Sequence, residues 1–302
     1  MENVTSAAPV PRDALNAFIA YWLYPLLLLG MLGYAYVETS GPAERLGQYY
    51  GYYLSGLVGL LLLIEVLHPL KREWRMTRRT FFRRDLPFMV IGGITIGLAN
   101  YLAGRGVVEL GLLRGSSHAT MPLIPSVVLV ILIGDFFWYW VHRWSHESKT
   151  AIGQWMWKVH IAHHLPQQVY LLMHGVAHPI NTVVVRAILT VPFFFLGFTT
   201  ESIFVANLVI GLQGLVSHFN VNIRAGRLNY LLIGTELHRY HHSANYDEAK
   251  NYGSTIPLWD ILFGTFYYRP ERMPERLGVR NPVNYPAAEQ PMAVLALPFR
   301  KD

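Results

Sequence analysis

The sequence predicts an all-α, polytopic membrane protein with about four transmembrane helices, a helical hairpin and a cytosolic, histidine-rich cap that holds two metals. Of the 302 residues, 52% are hydrophobic and 15% are charged, against about 25% charged residues in an average soluble domain. Four apolar runs lie before residue 142, and 11 of the 13 histidines lie between His142 and His242. Buried helices of a large soluble core are disfavoured, because these runs leave few residues to solvate the outside.

Composition excludes several classes of protein. The chain has no cysteine, so it cannot form disulfides, a cysteine-ligated zinc site or an iron–sulfur cluster of its own. The apolar content is too high for intrinsic disorder. The net charge is +6, but the basic residues concentrate in KREWRMTRRTFFRR, residues 71–84, which contains seven Lys or Arg. Since they do not recur elsewhere as a patch, we expect no nucleic-acid partner.

The first 134 residues comprise a terminus and the transmembrane helices. Residues 1–13 are polar and predict a flexible N-terminus without the features of a secretory signal. Residues 14–134 are assigned to the transmembrane helices, and the four apolar runs, at 14–37, 49–67, 86–113 and 122–141, each have the ~20 residues that a span requires. The last run continues into the next segment. The loop after the third run has one basic residue, Arg114, so the positive-inside rule places the basic 71–84 loop and the N-terminus in the cytosol.

The second half of the chain is predicted to carry the chemistry. The fourth run delivers His142 to the cytosolic side, where aromatic residues between 136 and 157 mark the membrane interface. A further apolar stretch, 180–216, is interrupted by turn residues at 197–201. This pattern predicts a hairpin that leaves and returns on one side. We therefore assign 135–268 to a catalytic domain and 269–302 to a loosely packed cytosolic tail.

Nine histidines in three helical patterns and one isolated position predict a metal centre. Residues four, or three and four, positions apart share one face of a helix. Nine ring nitrogens are too many for one tetrahedral zinc and suit two metals. Clustering them without metal costs ~1–3 kcal/mol for each buried, unsatisfied group. The predicted ligands are His142, His146, His160, His163, His164, His218, His238, His241 and His242.

The ligand type narrows the metal but leaves alternatives open. Sulfur ligands are absent, and Arg143 follows His142, so the HExxH zinc-protease motif is missing. Imidazole-rich sites suit iron, copper, nickel or zinc, and a redox metal best explains a site that faces apolar lipid. A membrane zinc-dependent lipid hydrolase and a haem or metal electron-transfer protein are the alternatives. Haem uses at most two axial ligands, which argues against the latter.

The histidine motifs also carry a family resemblance. HRWSH, HIAHH and HRYHH resemble the histidine boxes of the fatty acid hydroxylase/sterol desaturase superfamily of membrane di-iron oxygenases. GDFFWYWVHRWSHE, AHPIN, HFNV and the segment ELHRYHHSANYDEAKNYGSTIPLWDILFGTFY resemble other parts of the same family. The resemblance covers roughly Asp135 to Tyr268, and the combination of motifs is highly specific.

The resemblance implies a cap in which the nine histidines hold two iron ions. Zinc can replace these ions in purified material. It implies O2 as co-substrate and the hydroxylation or desaturation of a C–H bond in a lipid such as a sterol or fatty acyl chain. Since no electron-carrier domain is recognisable, we expect a separate donor with a haem or iron–sulfur carrier. The bacterial inner membrane and the endoplasmic reticulum both fit, with the active site facing the cytosol.

Two departures from the family pattern leave the exact ligand set open. Asn222 stands where the 2-hydroxylase branch has a further histidine, and Asn181 replaces the acid of an HPxE-type segment. An asparagine, a water or His178 is then expected to complete the coordination, and His174 is a further candidate. Metal-bound histidines usually donate their second N–H to an acceptor. The candidates for such positioning roles are Asp135, Glu147, His178, Asn220, Asp247 and Asn251.

Overall fold

The computed structural model describes residues 5–109 and 121–300. The first four residues of the predicted N-terminus, the end of the third apolar run with Arg114, and the last two residues of the predicted tail lie outside the described residues.

Helices dominate the described chain, as predicted. Two short 3₁₀ segments, Ala43–Arg45 and Arg72–Trp74, and a π-helical turn, Phe81–Asp85, lie among the N-terminal helices. Further 3₁₀ segments are Leu171–Gly175, Gly226–Tyr230, Pro282–Asn284 and Leu297–Phe299. The α-helices are α1 Ala14–Thr39, α2 Tyr50–Leu67, α3 Arg78–Thr80, α4 Leu86–Glu109, α5 Leu123–Glu147, α6 Ala151–His164, α7 Pro179–Leu189, α8 Val191–Phe195, α9 Thr200–Ser217, α10 Thr235–His241, α11 Leu258–Leu262 and α12 Pro291–Leu295.

Five helical stretches in the described chain are long and apolar enough to cross a membrane. They are α1, α2, residues 72–106, α5 and α9. Large apolar side chains on these helices are exposed, among them Leu29, Ile94 and Ile124. Such surfaces are suited to lipid, so the prediction of an all-α polytopic membrane protein is confirmed.

The predicted helical hairpin is present and is asymmetric. Its first arm is divided into α7 and the short α8, and its second arm is α9. The chain turns at Gly197, whose φ of +76° favours glycine. The Thr199 side chain then accepts the Ser202 amide and caps α9. The hairpin thereby returns the chain to His218 at the end of α9.

The helix α5 lies at the centre of the packing. It contacts α6, α7, α9 and α11, while α9 also packs on α1 and α10. The buried residue Val130 on α5 packs with Ala206 on α9 and Phe193 on α8. This arrangement fixes the ends of α5, α9 and α10 relative to one another, which is where the predicted metal ligands lie.

Both ends of the chain differ from the prediction. Residues Thr5–Ala7 form strand β1, which pairs antiparallel with strand β2, Arg272–Pro274, in the register Thr5↔Pro274. The predicted tail is packed: its residues Met273, Leu277, Val279, Val294 and Leu297 are buried in one cluster with Ile161 of α6. These apolar residues are too far apart in sequence to produce a periodic pattern, although they cover one side of the cap.

Candidate metal centre

The nine predicted histidines come together in two groups. Within each group the candidate ligand nitrogens all lie within 4.8 Å of one another. The first group is His142, His146, His160, His164 and His241, and the second group is His163, His218, His238 and His242.

Helices α6 and α10 serve both groups. On α6, His160 and His164 are four residues apart and belong to the first group, whereas His163 points into the second. On α10 the larger share goes to the other group: His238 and His242 belong to the second group, and His241 belongs to the first. The rings of His164 and His242, which belong to different groups, are stacked with centroids 4.5 Å apart. The two groups are therefore neighbours in one continuous cluster.

Hydrogen bonds on Nδ1 set the tautomer of several rings. A carbonyl oxygen can only accept, so a ring nitrogen that contacts one must carry the proton. His142 donates to the Tyr252 carbonyl at 2.7 Å, and His241 to the Lys250 carbonyl at 3.0 Å.

Three other rings have the same arrangement. The Nδ1 atom of His163 donates to the Val176 carbonyl at 3.2 Å, and that of His218 to the Gly214 carbonyl at 3.0 Å. His160 Nδ1 contacts Oδ1 of Asn181 at 3.1 Å. In a neutral ring, the proton on Nδ1 leaves Nε2 with only its lone pair. Five Nε2 atoms are therefore prepared to bind a cation.

These lone pairs face one another across short distances. Nε2 of His142 lies 2.9 Å from Nε2 of His160, and Nε2 of His163 lies 3.0 Å from Nε2 of His218. In both pairs each ring has its proton on Nδ1, so neither Nε2 can donate to the other. Two facing lone pairs repel unless a cation lies between them. The residues therefore fit a pair of metal ions.

Unpartnered nitrogens support the same conclusion. Among the described residues, the buried Nε2 atoms of His146 and His241 have no hydrogen-bond partner. A buried polar atom without a partner costs about 1–3 kcal/mol. Both atoms belong to the first group, where a bound ion would satisfy them.

The first group offers more nitrogen ligands than a tetrahedral site uses. The nearest Nε2 contacts, including His160–His164 and His238–His242, are 2.9–3.0 Å. Five imidazoles in the first group exceed the four ligands of structural zinc.

Burial keeps the rings neutral. It lowers the pKa of His160 and of His163 to about 3, with neighbouring imidazoles as the next cause. Burial likewise holds the pKa of His164, His238 and His242 well below the usual range. Neutral imidazole is the form that binds a metal, so the cluster is ready to bind at neutral pH.

The loop that supplies the Tyr252 carbonyl is held by two buried carboxylates. Asp135 on α5 accepts the amides of Ser254 and Thr255 at 2.8 and 3.0 Å. Asp260 accepts the amides of Tyr252 and Gly253 at 2.7 and 2.9 Å. Asp135, predicted to contact a ligand ring, thus positions the loop that contacts the ring.

Glu147 acts on the same loop from its other end. Its Oε1 accepts from Lys250 Nζ at 2.8 Å and from the Tyr252 hydroxyl at 3.0 Å, while Oε2 pairs with Arg143 at 2.7 Å. The carbonyls of Lys250 and Tyr252 are the acceptors for His241 and His142. Glu147 therefore acts on the rings through Lys250 and Tyr252, and not by direct contact as predicted.

Asn251 lies between the two carbonyl acceptors and stabilises their backbone. Its φ is +62°, a left-handed conformation that asparagine adopts more readily than most residues. Its amide donates to the carbonyls of Leu237 and Tyr267 at 3.0 and 2.9 Å. Among the described residues its side chain forms no hydrogen bond with an imidazole, so its role is to fix the loop.

The structure places four other predicted residues away from the rings. His178 caps α7 by accepting the Ile180 amide, and its other nitrogen donates to the Leu295 carbonyl, so neither is free to coordinate. Asn220 bonds the Lys71 backbone, and Asn222 donates to the Pro9 carbonyl. Asp247 is exposed. Sequence spacing alone cannot show where these side chains point.

His174 is close to the cluster but belongs to neither group. Its ring lies 5.2 Å from the ring of His218, measured between centroids, and directly over Gly214 of α9. The side chain is exposed, and no hydrogen bond from it exists within the described residues. It therefore lies at an open side of the second group.

Three contributors are not among the residues that the sequence predicts for the site. Tyr252 acts through its carbonyl, which no side-chain pattern reveals, and Asp260 acts by accepting the amides of Tyr252 and Gly253. Asn181, which replaces the acid of an HPxE-type segment, contacts His160. Its position in the AHPIN segment is the signal that identifies it, because an amide oxygen accepts an imidazole N–H as a carboxylate does.

Comparisons with known proteins agree with this geometry. The family described as fatty acid hydroxylase matches residues 127–265. The ornithine lipid hydroxylase OlsE of Rhizobium tropici is 28% identical over 295 residues, covering 95% of this chain and 86% of that protein. A putative methylsterol monooxygenase of Dictyostelium discoideum is 25% identical, covering 72% of this chain and 78% of the relative.

A human protein is similar to half of this chain. Alkylglycerol monooxygenase of Homo sapiens is 30% identical over 152 residues, which is 50% of this chain and 32% of that protein. No solved structure matched the chain significantly. The matched residues include every histidine box and the loop that supports them, so residues 127–265 are identified as a domain of the fatty acid hydroxylase/sterol desaturase superfamily.

Proposed function

We propose that the protein is an O2-dependent lipid oxygenase whose nine clustered histidines hold two iron ions. The observation that carries the proposal is the pair of contacts His142–His160 and His163–His218, in which Nε2 lone pairs face each other at 2.9 and 3.0 Å. One such contact lies in each group, which supports one ion per group. Imidazole ligation with more than four ligands suits iron better than tetrahedral zinc.

The names of the relatives support the reaction class. They include a hydroxylase of ornithine lipid and monooxygenases of methylsterol and alkylglycerol. For hydroxylation the balance is RH + O2 + 2e⁻ + 2H⁺ → ROH + H2O. Desaturation uses the same O2 and electrons and forms a C=C bond with two waters. Electrons come from a separate donor protein with a haem or iron–sulfur carrier.

Two irons held by the nine histidines would supply the activation of O2 and the oxidation of the C–H bond. The residues of the chain itself orient the imidazole rings and hold the lipid. Four imidazole rings are fixed by hydrogen bonds from their Nδ1–H groups to main-chain carbonyls, those of Tyr252, Val176, Gly214 and Lys250. Burial of the rings excludes water, and the apolar helices hold the lipid so that one C–H bond is correctly positioned.

We also propose that the cluster faces the cytosol. The seven basic residues of 71–84 precede α4, and Arg72, Arg75, Arg78, Arg79 and Arg83 are exposed. By the positive-inside rule they lie on the cytosolic side. Helices α1, α2, α4 and α5 then alternate in direction, and the end of α5 with His142 is also cytosolic.

Metal content tests the proposal directly. After iron-supplemented expression, we expect about two irons per chain in the full-length protein. His241→Ala removes a ligand of the first group and His163→Ala one of the second, so each variant should lose about one iron and both together about two. His68→Ala is the matched control, since His68 contacts Asn16 and lies in neither group.

Lipid extracts from expressing cells provide the second readout. We expect an O2-dependent, oxidised lipid with the parent protein and none with the double variant. Iron-free protein, or full iron retention in the double variant, would contradict the proposal. Haem absorption would favour an electron-transfer protein, and lipid hydrolysis by a zinc-only, iron-free form would favour a hydrolase.

A further inference from the structure

A single arginine lies inside the apolar helical hairpin. Arg186 is on α7, seven residues after the start of a first arm that runs from Pro179 to Phe195. Arginine is costly in the hydrocarbon region, and ionisable residues there almost always face the protein interior or a cavity and mark a functional path. Arg186 therefore needs an explanation that lipid contact does not provide.

Within the described part of the chain, the guanidinium donates its hydrogen bonds to neutral oxygens. Its Nη1 atom donates to the Thr190 hydroxyl at 3.2 Å and to Oδ1 of Asn207 at 3.4 Å. The Thr190 hydroxyl also donates to Asn207 at 3.0 Å, and the Asn207 amide donates to the Ile203 carbonyl at 2.7 Å. The three polar side chains thus bridge α7 and α9, both of which pack on α5.

No carboxylate neutralises this cation. Across residues 5–109 and 121–300, Asp and Glu side chains form ion pairs with Arg84, Arg105, Arg143, Arg224 and Lys250, but not with Arg186. Both hydrogen bonds come from one nitrogen, Nη1, so within the described residues the three N–H groups on Nε and Nη2 have no protein acceptor. The side chain is half-buried, so these donors are accessible to a ligand.

The cluster is aligned with the metal centre. Asn207 precedes His218 by 11 residues on α9, which is about three helical turns, so both lie on one face about 16 Å apart. Gly211 lies between them on that face, and a Cβ there would meet nothing within 4 Å, whereas the ring of His174 covers Gly214. An extended acyl chain can therefore lie along this face from Arg186 as far as His174, whose ring is 5.2 Å from that of His218 in the second histidine group.

We propose that Arg186, with Thr190 and Asn207, binds the anionic group of a lipid, a carboxylate or a phosphate. This assignment rests on the proposed function, because it identifies the lipid as the substrate whose chain reaches the metal centre. A planar guanidinium matches two oxygens of such a group. An anion also removes the unfavourable isolated charge within the hairpin, which a neutral lipid cannot do.

Binding of palmitate and of methyl palmitate to full-length protein in detergent tests the subsite. The two probes have the same acyl chain, and the head is a charged carboxylate in one and a neutral methyl ester in the other. We expect palmitate to bind at least tenfold more tightly, Arg186→Gln to abolish that preference and Arg186→Lys to retain part of it. Arg105→Gln is the matched control, because Arg105 is exposed and paired with Glu109. It should keep the full preference.

Competition separates the sources of the anion. Dodecyl phosphate should displace palmitate, whereas inorganic phosphate at the same concentration should not. Equal displacement by inorganic phosphate would overturn the lipid assignment. Equal binding of palmitate and its methyl ester by the unaltered protein would overturn the subsite, and this result does not depend on whether any variant folds.

Folding and iron content complete the test. A purely structural bridge between α7 and α9 predicts that Arg186→Gln lowers the unfolding temperature and leaves the palmitate preference unchanged, which would overturn the proposal. Binding is measured in metal-free and iron-loaded protein. Loss of the preference with two irons present rejects the subsite alone, whereas absence of iron with the preference intact rejects the oxygenase alone.

Discussion

At the scale of single residues, main-chain carbonyls define the metal centre as much as the imidazoles do. His142 and His241 depend on the carbonyls of Tyr252 and Lys250, two residues apart on one loop. Glu147 holds the side chains of those same two residues. A carboxylate that touches no ligand thereby controls the direction of two rings in the first group.

Replacing Glu147 should consequently weaken metal binding without abolishing the fold. Glu147→Gln removes the charge that holds Lys250 and weakens the contact with Tyr252. Partners behind metal ligands typically change metal affinity by about 10–100-fold, and because Glu147 acts one residue further away we expect about tenfold. Chelator competition measures the affinity. Glu109→Gln, at an exposed ion pair, is the control, and equal affinity in both variants would contradict the role.

At the scale of elements, the C-terminal segment, residues 273–300, packs across α6. We call this segment the strap. Val294 is 1% exposed, and it packs with Ile161 and Leu297 in one buried cluster. The Leu295 carbonyl accepts from His178, and Lys158 on α6 donates to the Arg300 carbonyl. Because α6 carries three of the nine histidines, packing of the strap helps to fix ligands in both groups.

Truncating a side chain in the strap should be destabilising. Val294→Ala leaves a small cavity and should reduce the free energy of unfolding by about 1–3 kcal/mol. Val283→Ala is the matched control, since Val283 is 91% exposed in the same segment, and it should have no measurable effect. Thermal unfolding in detergent compares the two. Equal unfolding temperatures would show that the strap contributes nothing to stability.

At the scale of the whole molecule, the buried histidines couple stability to pH. Burial lowers the pKa of His160 and His163 to about 3 in the folded protein, whereas an unfolded histidine titrates near 6.5. Between these values the unfolded chain binds more protons. The stability of the folded state is therefore complete above about pH 6.5 and falls as the pH is lowered through this window.

Metal-free protein should accordingly lose thermal stability on acidification. Each histidine of this kind contributes up to about 1.4 kcal/mol per pH unit inside the window, and the nine act together. The unfolding temperature of chelator-treated protein, measured from pH 8 to pH 5.5, should be level above pH 7 and decline steeply below 6.5. The His163→Ala variant should show a shallower decline. A flat profile would mean that the rings are protonated or exposed in the folded state.

The sequence by itself determined the membrane helices, the hairpin and the identity of the clustered histidines. These features are local: apolar runs of sufficient length form spans, and spacings of three and four residues bring imidazoles to one helical face. The departures also lay in the sequence, since Asn181 and Asn222 stand in its motifs. Of these, only Asn181 contacts a ring of the cluster.

Only the tertiary structure decided how the histidines divide into groups and what orients them. The division of α6 and α10 between the two groups depends on how these helices meet α5 and α9, and no local spacing encodes that. The carbonyls that accept from the rings leave no trace in side-chain identity. The same reason separates the predicted positioning residues. Asp135, Glu147 and Asn251 contact the supporting loop because the chain folds this loop against α5. His178 and Asn220 form hydrogen bonds with other segments.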